Sequence, residues 1–314
     1  MGSGMICQDW RDVAPGEIAA LMTAERRRWI ETLRWDMTAS FEIVEQGRRA
    51  GHVPGWIARD ARGAAEGWTY YILHDGTLQI GGIVASRPAV VRRLVDAILH
   101  STEADLARRL SCFVFPEGPS IASAFERQRF AMSDSRYLLK SLMREEAVTP
   151  AGVPSVRAWR DTDLAPEVRL LASSYRGVPG ASCFAPDGGL DQWAQYAGQL
   201  TRVPACGVFD PALSFVATTP SCNDLLGIVM GTRLSDDTAH IAQIAVAPSA
   251  RRSGLARQLL AASFAAAADA ALTSVTLMVD AGNVAAANLY SDLGFVERAR
   301  FVYGRRAART RVAA

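Results

Sequence analysis

The chain has 314 residues and a formal net charge of +2, with 49% hydrophobic and 21% charged residues. This length suits two domains of roughly 150 residues better than one. The small net charge predicts no nucleic-acid-binding or membrane-binding surface, because both need a strongly basic face. No apolar run reaches about 18 residues and the start of the chain lacks a basic-then-apolar secretion pattern, so we expect a cytoplasmic protein.

The cysteines and the loop composition set further expectations. The five cysteines are scattered, with no C-x-x-C pair. This odd, unpaired set predicts neither a disulfide framework nor a structural zinc site, so we expect no bound metal. A break rich in proline and glycine at residues 149–155 separates two regions of regular hydrophobic periodicity. The sequence therefore predicts two domains, residues 5–150 and residues 151–314.

The first region contains a pattern that recurs in the second. An apolar run at residues 78–84, followed by a helical pattern at 94–99, resembles the run at 241–246 followed by 255–260. Further matched segments are residues 110–115 with 275–279 and residues 121–130 with 286–295. The pattern indicates a duplicated α/β unit, and the alternative is the ordinary similarity of any two α/β segments.

The second region alternates short strands with helices. Strands are predicted at residues 156–159, 205–209, 213–217, 225–232, 240–246, 274–279 and 301–303, and helices at 166–175, 190–200, 254–270 and 284–293. Turn residues at 235–237 would join two of these strands as a hairpin. Mixed strands flanked by helices predict an α+β fold with a mixed sheet.

A strand followed at once by a helix, at residues 240–260, is the first candidate binding site. The turn between the two elements contains Arg251, Arg252, Ser253, Gly254, Leu255 and Ala256. Small residues let a ligand approach backbone N–H groups, and a helix N-terminus favours negative charge. The spacing Arg251-x-x-Gly254-x-Ala256 indicates a phosphate-binding loop, and the alternative is a plain turn with two solvated arginines.

A second motif lies downstream of this loop. Residues 279–295 place Asn283 just beyond a predicted strand and Tyr290 about two turns along a helix. In this order and at this spacing, the loop and the N-x-x-A-x-x-L-Y-x-x-x-G-F string resemble the GCN5-related N-acetyltransferase (GNAT) superfamily. The resemblance covers residues 156–303 well and the first region only in outline.

The resemblance implies an acyl-CoA-dependent N-acyltransferase, with acetyl-CoA or another acyl-CoA as co-substrate and direct attack of an amine on the thioester. In GNAT proteins a bulge parts the fourth strand from the fifth and exposes backbone N–H groups to the thioester carbonyl. The matching residues are Ile244 and Val246, and such donors suit the charge that develops on the carbonyl oxygen.

The same resemblance implies roles for the two motifs. Residues 251–256 would hold the pyrophosphate, with charge added by Arg251 and Arg252. Asn283 would contact the pantetheine arm, and Tyr290 would give its proton to the departing thiolate. The alternative for Tyr290 is a helix tyrosine that only packs.

The resemblance leaves the general base unassigned. GNAT proteins often carry a glutamate on the fourth strand, but the matching strand here carries only His240 and Gln243. His240 and Asp280 are the candidates, and we expect a structural role for each.

The first region lacks the residues that carry the site in the second. Alignment of Leu94 with Leu255 places Arg93 at Gly254, Val90 at Arg251, Val95 at Ala256, Phe125 at Tyr290 and Arg129 at Gly294. A side chain would then occupy the space that a phosphate needs, and the hydroxyl is lost. We therefore expect two tandem GNAT-like domains, the first degenerate and non-catalytic, in a layout similar to that of mycothiol synthase.

Aromatic and acidic residues indicate an acceptor pocket for an amine of a small molecule or peptide. Tyr175, Phe184 and Trp193 lie in the segment where GNAT proteins build this pocket. Asp36, Glu42 and Glu45 could make the cleft acidic, and the alternative is core packing with a solvated rim. We expect a monomer or homodimer.

Two other functions remain open at this point. One is a non-catalytic acyl-CoA-binding or interaction protein, and the other is an acyltransferase for protein lysines or N-termini.

Overall fold

A computed structural model of the protein describes residues 5–85, 87–116, 118, 120–142, 155–219 and 224–308. The chain divides into two compact units, each assembled from separate segments. Unit 1 comprises Met1–Arg28, Phe41–Ser135 and Arg300–Ala314, and unit 2 comprises Trp29–Ser40 and Arg136–Ala299. The predicted boundary near residue 150 falls outside the described residues, so the domains 5–150 and 151–314 remain a prediction.

The described residues form helices and strands in the following order. The strands are β1 (Ile6–Asp9), β2 (Gly55–Arg59), β3 (Ala65–His74), β4 (Thr77–Ala85), β5 (Arg109–Val114), β6 (Ala131–Ser141), β7 (Ser155–Ala158), β8 (Val208–Phe209), β9 (Phe215–Thr218), β10 (Leu225–Arg233), β11 (Thr238–Val246), β12 (Ser274–Asp280) and β13 (Val296–Ala307). The helices are α1 (Pro15–Leu33), α2 (Thr38–Arg49), α3 (Pro88–Leu99), α4 (Thr102–Leu106), α5 (Ser120–Arg127), α6 (Leu164–Ser174), α7 (Leu190–Arg202), α8 (Leu255–Asp269) and α9 (Val284–Asp292).

Unit 1 contains a mixed sheet in the strand order β1-β2-β3-β4-β5-β13. Strands β4 and β5 pair in parallel, and the other pairs are antiparallel. The strand beside β5 is the C-terminal part of β13, where Val302 faces Val114 and Ala307 faces Arg109. Unit 1 therefore takes a strand from the end of the chain.

In unit 2 the strands pair in the order β6-β12-β11-β10-β9-β7, again with parallel and antiparallel neighbours. Strands β11 and β12 are parallel, whereas β10 pairs antiparallel with β8, β9 and β11. Helix α8 packs its buried leucines, Leu255 and Leu259 among them, against this sheet. Gly227 on β10 permits the close approach, because a Cβ there would lie 2.8 Å from Leu259 Cδ1. The mixed strand pairing in each unit, with its flanking helices, confirms the predicted α+β fold.

Two of the strands predicted in the second region differ in length from the observed ones. The predicted strand at residues 205–209 is reduced to Val208–Phe209, since Gly207 has a φ of +83° that no strand adopts. The final strand extends over Val296–Ala307, well beyond the predicted 301–303. It was predicted too short because many of its residues are exposed and do not alternate between apolar and polar. Within the described residues, no helix is long and apolar enough to cross a membrane.

The same irregularity occurs in β4 of unit 1 and in β11 of unit 2. Residues 77–80 of β4 pair in parallel with 109–112, and residues 238–241 of β11 pair in parallel with 274–277. Directly after each paired stretch, one residue is skipped in the antiparallel register: Gly81 in β4 and Ala242 in β11. A bulge at matching positions supports the duplicated unit that the sequence indicates.

Candidate active site

The candidate site in unit 2 begins where β11 parts from β12. Met230 faces Gln243 and Gly231 faces Ile241, so Ala242 is an extra residue on β11. Parallel pairing with β12 ends at Ile241 and Leu277. A bulge changes the direction of the residues that follow it, and pairing between β11 and β12 ends directly before the bulge. Ile244 and Val246 lie in this separated stretch and are half-buried.

The predicted phosphate loop connects β11 to α8. The loop begins with a single helical turn, Pro248–Ala250, and α8 starts at Leu255. Gly254 has a φ of +83°, and Ser253 Oγ donates to the Ala250 carbonyl at 2.7 Å. The glycine is needed for its left-handed backbone, since a Cβ there would meet open space.

The start of α8 offers backbone donors to an anion. The N–H of Gln258 donates to the Gly254 carbonyl at 3.2 Å and closes the first turn. The N–H groups of Leu255 and Ala256 precede this bond and therefore have no intrahelical acceptor. These donors and the helix dipole suit a phosphate group.

Arg251 makes a contact that the sequence did not predict. Its Nη2 donates to the Ser174 carbonyl at 2.6 Å, at the C-terminus of α6. Ser174 Oγ in turn donates to the Val246 carbonyl at 3.1 Å. Arg251 thus satisfies the last carbonyl of α6 and links it to the loop, while Arg252 is exposed. Their contribution to phosphate binding remains a prediction.

Helix α9 places Asn283 and Tyr290 on its first and last turns. Asn283 caps the helix, because its Oδ1 accepts from the Ala286 N–H at 3.3 Å. Tyr290 is buried, and its ring contacts Phe295 with centroids 5.8 Å apart. Burial raises the pKa of Tyr290 well above its usual value, so its hydroxyl keeps its proton. This is the state that a proton donor needs.

A hydrogen-bond network surrounds the backbone of Ile244. Gln243 Oε1 accepts from the Ile244 N–H at 3.1 Å and from the Tyr175 hydroxyl. The Tyr175 hydroxyl also lies 3.1 Å from the Ile244 carbonyl oxygen. Gln243 Nε2 donates to the Tyr196 hydroxyl at 3.3 Å. The Ile244 N–H, a predicted donor to the thioester carbonyl, is therefore held by the neighbouring side chain.

The two candidate bases, His240 and Asp280, both have structural partners. His240 is 2% exposed, its Nδ1 lies 2.9 Å from Thr276 Oγ1, and its ring packs against those of Trp35 and Tyr137. Burial lowers the pKa of His240 to about 3. Asp280 Oδ1 accepts from the Gly282 N–H at 2.8 Å, which shapes the turn before α9. These contacts agree with the structural roles expected for both.

Glu167 on α6 is a buried carboxyl group that is not among the site residues predicted from the sequence. Its Oε2 accepts from Trp159 Nε1 at 3.3 Å, and among the described residues its Oε1 has no partner. Burial raises the pKa of Glu167 to about 8, so the group is mostly protonated at neutral pH. A signal was present: Glu167, Leu170, Leu171 and Ser174 share one helical face, and all four are buried.

The carboxylates expected to make an acidic cleft bind other groups. Asp36 Oδ1 accepts from the Thr38 N–H at 2.9 Å and from its hydroxyl. Glu45 forms ion pairs with Arg48 at 2.6 Å and with Arg49 at 2.7 Å. These contacts support structural roles for both residues, and Glu42 is exposed.

Comparisons with known proteins agree with this geometry. The sequence model of the acetyltransferase (GNAT) family matches residues 181–295. No curated protein matches the chain. A solved GCN5-related N-acetyltransferase from Sphaerobacter thermophilus is 17% identical, with a TM-score of 0.64 over 99% of this chain and 98% of its own.

Two further solved structures extend the comparison. A tandem GNAT protein from the clavulanic acid biosynthesis pathway is 17% identical, with a TM-score of 0.53 over 82% of this chain and 83% of its own. An acetyltransferase of the GNAT family from Colwellia psychrerythraea is also 17% identical, with a TM-score of 0.53 over 96% and 99%. At these identities the likeness concerns the fold. The chain thus has the fold of these solved acetyltransferases, and its residues 181–295 match the sequence model of the acetyltransferase (GNAT) family.

Proposed function

We propose that this protein is an acyl-CoA-dependent N-acyltransferase that moves an acyl group, typically acetyl, onto an amine of a small molecule or peptide. Catalysis is assigned to the second half of the chain. The observation that carries the proposal is the parting of β11 from β12 after Ile241, beside the backbone donors at the start of α8. An opened strand edge next to an anion site suits a long ligand with a pyrophosphate at one end.

Each motif has a part in this reaction. The N–H groups at residues 251–256 bind the pyrophosphate, and Asn283 contacts the pantetheine arm through its side-chain amide. The backbone N–H groups of Ile244 and Val246 stabilise the charge on the thioester oxygen during attack. Tyr290 gives its proton to the sulfur as the carbon–sulfur bond breaks, and recovers a proton from solvent.

This mechanism requires one local movement in the protein. The Ile244 N–H donates to Gln243 Oε1 and must be released before it can contact a thioester carbonyl. Rotation of the Gln243 side chain is sufficient, because its other bonds, to Tyr175 and Tyr196, are also side-chain contacts.

The same observation favours a second candidate function, a non-catalytic acyl-CoA-binding protein. In that case Gln243 would keep the Ile244 N–H engaged while the loop held the pyrophosphate. A binding protein of this kind would need neither a proton donor nor a proton acceptor.

Thiol release distinguishes the two functions. The full chain is incubated with acetyl-CoA and longer acyl-CoAs across a panel of amines, and acyl-CoA affinity is measured by calorimetry. The enzyme assignment predicts turnover that falls at least 100-fold in Tyr290→Phe with unchanged affinity, in line with the usual contribution of a general acid.

A buried tyrosine of unit 1 supplies the control for this experiment. Tyr71→Phe removes a hydroxyl from a tyrosine that is 1% exposed and should leave turnover unchanged. Tight acyl-CoA binding without turnover on any amine would instead support the binding protein.

A further inference from the structure

The surface beside the bulge of β11 is aromatic. Tyr175 at the end of α6, Phe184, and Trp193 and Tyr196 on α7 contact one another, with ring centroids 4.9 to 6.2 Å apart. We call these four side chains the aromatic wall. Trp193 is buried, whereas Tyr175, Phe184 and Tyr196 are each partly exposed. The wall therefore presents ring surface next to Gln243.

The polar groups on this wall are uncharged: the indole N–H of Trp193 and the hydroxyls of Tyr175 and Tyr196. The amide of the neighbouring Gln243 joins the two hydroxyls in one network. Burial raises the pKa of each of these tyrosines well above its usual value, so both stay neutral. Among the described residues, the hydrogen bonds of this network reach no ionised side chain.

The ionisable groups on the surrounding elements leave the hydrogen-bond network of the wall uncharged. Glu167 on α6 is buried and protonated at neutral pH. Asp280, at the end of β12, accepts from the Gly282 N–H. Arg251 donates to the Ser174 carbonyl. An acceptor bound at the wall therefore meets rings, hydroxyls and an amide, and within the described part of the chain no carboxylate is bonded to the network.

This chemistry disfavours a basic amine as the acceptor. An alkylamine is an ammonium ion at neutral pH, and it must lose a proton before it can attack a carbonyl carbon. Moving that ion onto an uncharged surface costs hydration free energy, and the described residues of the network include no ionised group to take its proton. The side chain of Gln243 is a neutral amide, which cannot take a proton from the ammonium ion.

An aromatic amine avoids both costs. Its nitrogen is uncharged at neutral pH, and its ring can pack against the partly exposed rings of Phe184 and Tyr196. We propose that the acceptor is a primary arylamine bound as the free base against the aromatic wall. This proposal rests on the N-acyltransferase function proposed above.

The reaction balances without a carboxylate base. The arylamine nitrogen attacks the thioester carbonyl, a carbon–nitrogen bond forms and the carbon–sulfur bond breaks. The nitrogen of the adduct is strongly acidic and releases its proton to water. Tyr290 supplies a proton to the sulfur and is reprotonated by solvent, so the products are an N-aryl amide and free CoA thiol.

The test compares two amines of the same size, aniline and cyclohexylamine, with the full chain and acetyl-CoA at pH 7. We expect kcat/KM for aniline to exceed that for cyclohexylamine at least tenfold, with little change between pH 6 and 7, where Glu167 stays mostly protonated. A preference for cyclohexylamine would overturn the proposal and would indicate an ammonium held by cation–π contacts. Acyl-CoA binding without turnover of any amine would reject the enzyme function itself.

Two variants examine the role of the wall separately from folding. Phe184→Leu should raise KM for aniline about tenfold while kcat changes little. Phe209→Leu is the matched control, because Phe209 packs on Trp159 and is not part of the wall. Equal effects of the two substitutions would contradict stacking on the wall.

Gln243→Glu tests the absence of a base directly. The new carboxylate would lie beside Tyr175 and Tyr196, where it could take a proton from an ammonium. We expect turnover of cyclohexylamine to rise and to become dependent on pH, with a smaller effect on aniline. An unchanged ratio of the two rates would show that charge beside the wall does not select the acceptor.

Discussion

Helices α5 and α9 end in the same way, although they belong to different units. The N–H of Phe130 donates to the Phe125 carbonyl at 3.1 Å, and the N–H of Phe295 donates to the Tyr290 carbonyl at 3.0 Å. In each pair the two rings contact each other, at 5.0 Å in unit 1 and 5.8 Å in unit 2. The likeness of the two units therefore extends to individual helix ends, and the residue aligned with the proposed proton donor differs by one hydroxyl.

The two units differ most after the bulged strand. In unit 2 the chain runs from Val246 through the loop to Leu255 before α8 begins. In unit 1 strand β4 ends at Ala85 and α3 begins at Pro88. The sequence predicted that side chains in the corresponding loop of unit 1 occupy the space that a phosphate needs. In the structure Val90 is instead a buried helical residue, so the loop itself has been replaced by the first turn of α3.

The bulge of unit 1 is also closed by a side chain. A Cβ on Gly81 or Gly82 would lie within 2.8 Å of the Tyr70 ring. That ring stacks on Trp10 at 5.7 Å and on Trp68 at 6.2 Å. The strand geometry has survived in unit 1, but an aromatic stack fills the space beside it. Loss of the loop and filling of the bulge together support the expectation that this unit is not catalytic.

The largest expected effect concerns a tryptophan that unit 2 takes from the first region. Trp35 is 2% exposed and packs against Tyr137 and His240. We expect Trp35→Ala to lower the free energy of unfolding by about 3–5 kcal/mol, as large cavities do. Chemical denaturation measures the change. A loss below 1 kcal/mol would mean that the Trp35 ring contributes little to the packing of unit 2.

The second prediction uses the buried carboxyl group of α6. The pKa of Glu167 is about 8 in the folded protein and near 4.5 when unfolded, so the folded state holds the extra proton between these values. The stability contribution is present below pH 4.5 and is lost as the pH rises through 8. Between pH 5 and pH 8 this linkage should lower the free energy of unfolding by about 3 kcal/mol.

Glu167→Gln should remove this part of the pH dependence. The exposed residue Glu42 provides the matched control, because Glu42→Gln should leave the dependence intact. Denaturation curves at pH 5 and pH 8 for the three proteins measure both effects. The same slope in Glu167→Gln and in the unsubstituted protein would contradict the assignment.

The third prediction separates loop geometry from ligand binding. Gly254→Ala places a side chain at a φ of +83°, which costs roughly 1 kcal/mol of stability, and adds a methyl group where the pyrophosphate would lie. We expect acyl-CoA affinity to fall about tenfold, equivalent to about 1.4 kcal/mol. Gly63→Ala in unit 1 has a similar backbone strain, with φ +85°, and should not change affinity. Equal acyl-CoA affinities in the two variants would show that the pyrophosphate does not bind at Gly254.

Much of this molecule could be predicted from local sequence signals. The helix starting at Leu255, the strand before it and the Asn283–Tyr290 spacing depend on residues close together in the chain, and the structure contains these elements. Asn283 could be placed at a helix start, since asparagine caps helices well.

Local sequence signals do not predict contacts between residues that are far apart in the chain. The pairing of β13 with β5 joins residues far apart in sequence, as does the packing of Trp35 on His240. The bond between Arg251 and the Ser174 carbonyl is of the same kind. Glu167 shares a helical face with Leu170 and Leu171, a pattern that favours burial of this face. Its raised pKa follows only from the three-dimensional packing.

The smallest predicted effect concerns the C-terminal ends of helices α5 and α9. Arg129 and Gly294 both have a left-handed backbone, with φ values of +62° and +85°. A side chain there costs about 1 kcal/mol relative to glycine. We expect Arg129→Gly to stabilise the protein by about 0.5–1 kcal/mol and Gly294→Ala to destabilise it by about 1 kcal/mol. A Cβ at Gly294 would meet only Lys140 Nζ, at 3.5 Å, so the cost lies in the backbone. Opposite signs would show that the two caps are equivalent, whereas destabilisation by both substitutions would show that the Arg129 side chain contributes contacts of its own.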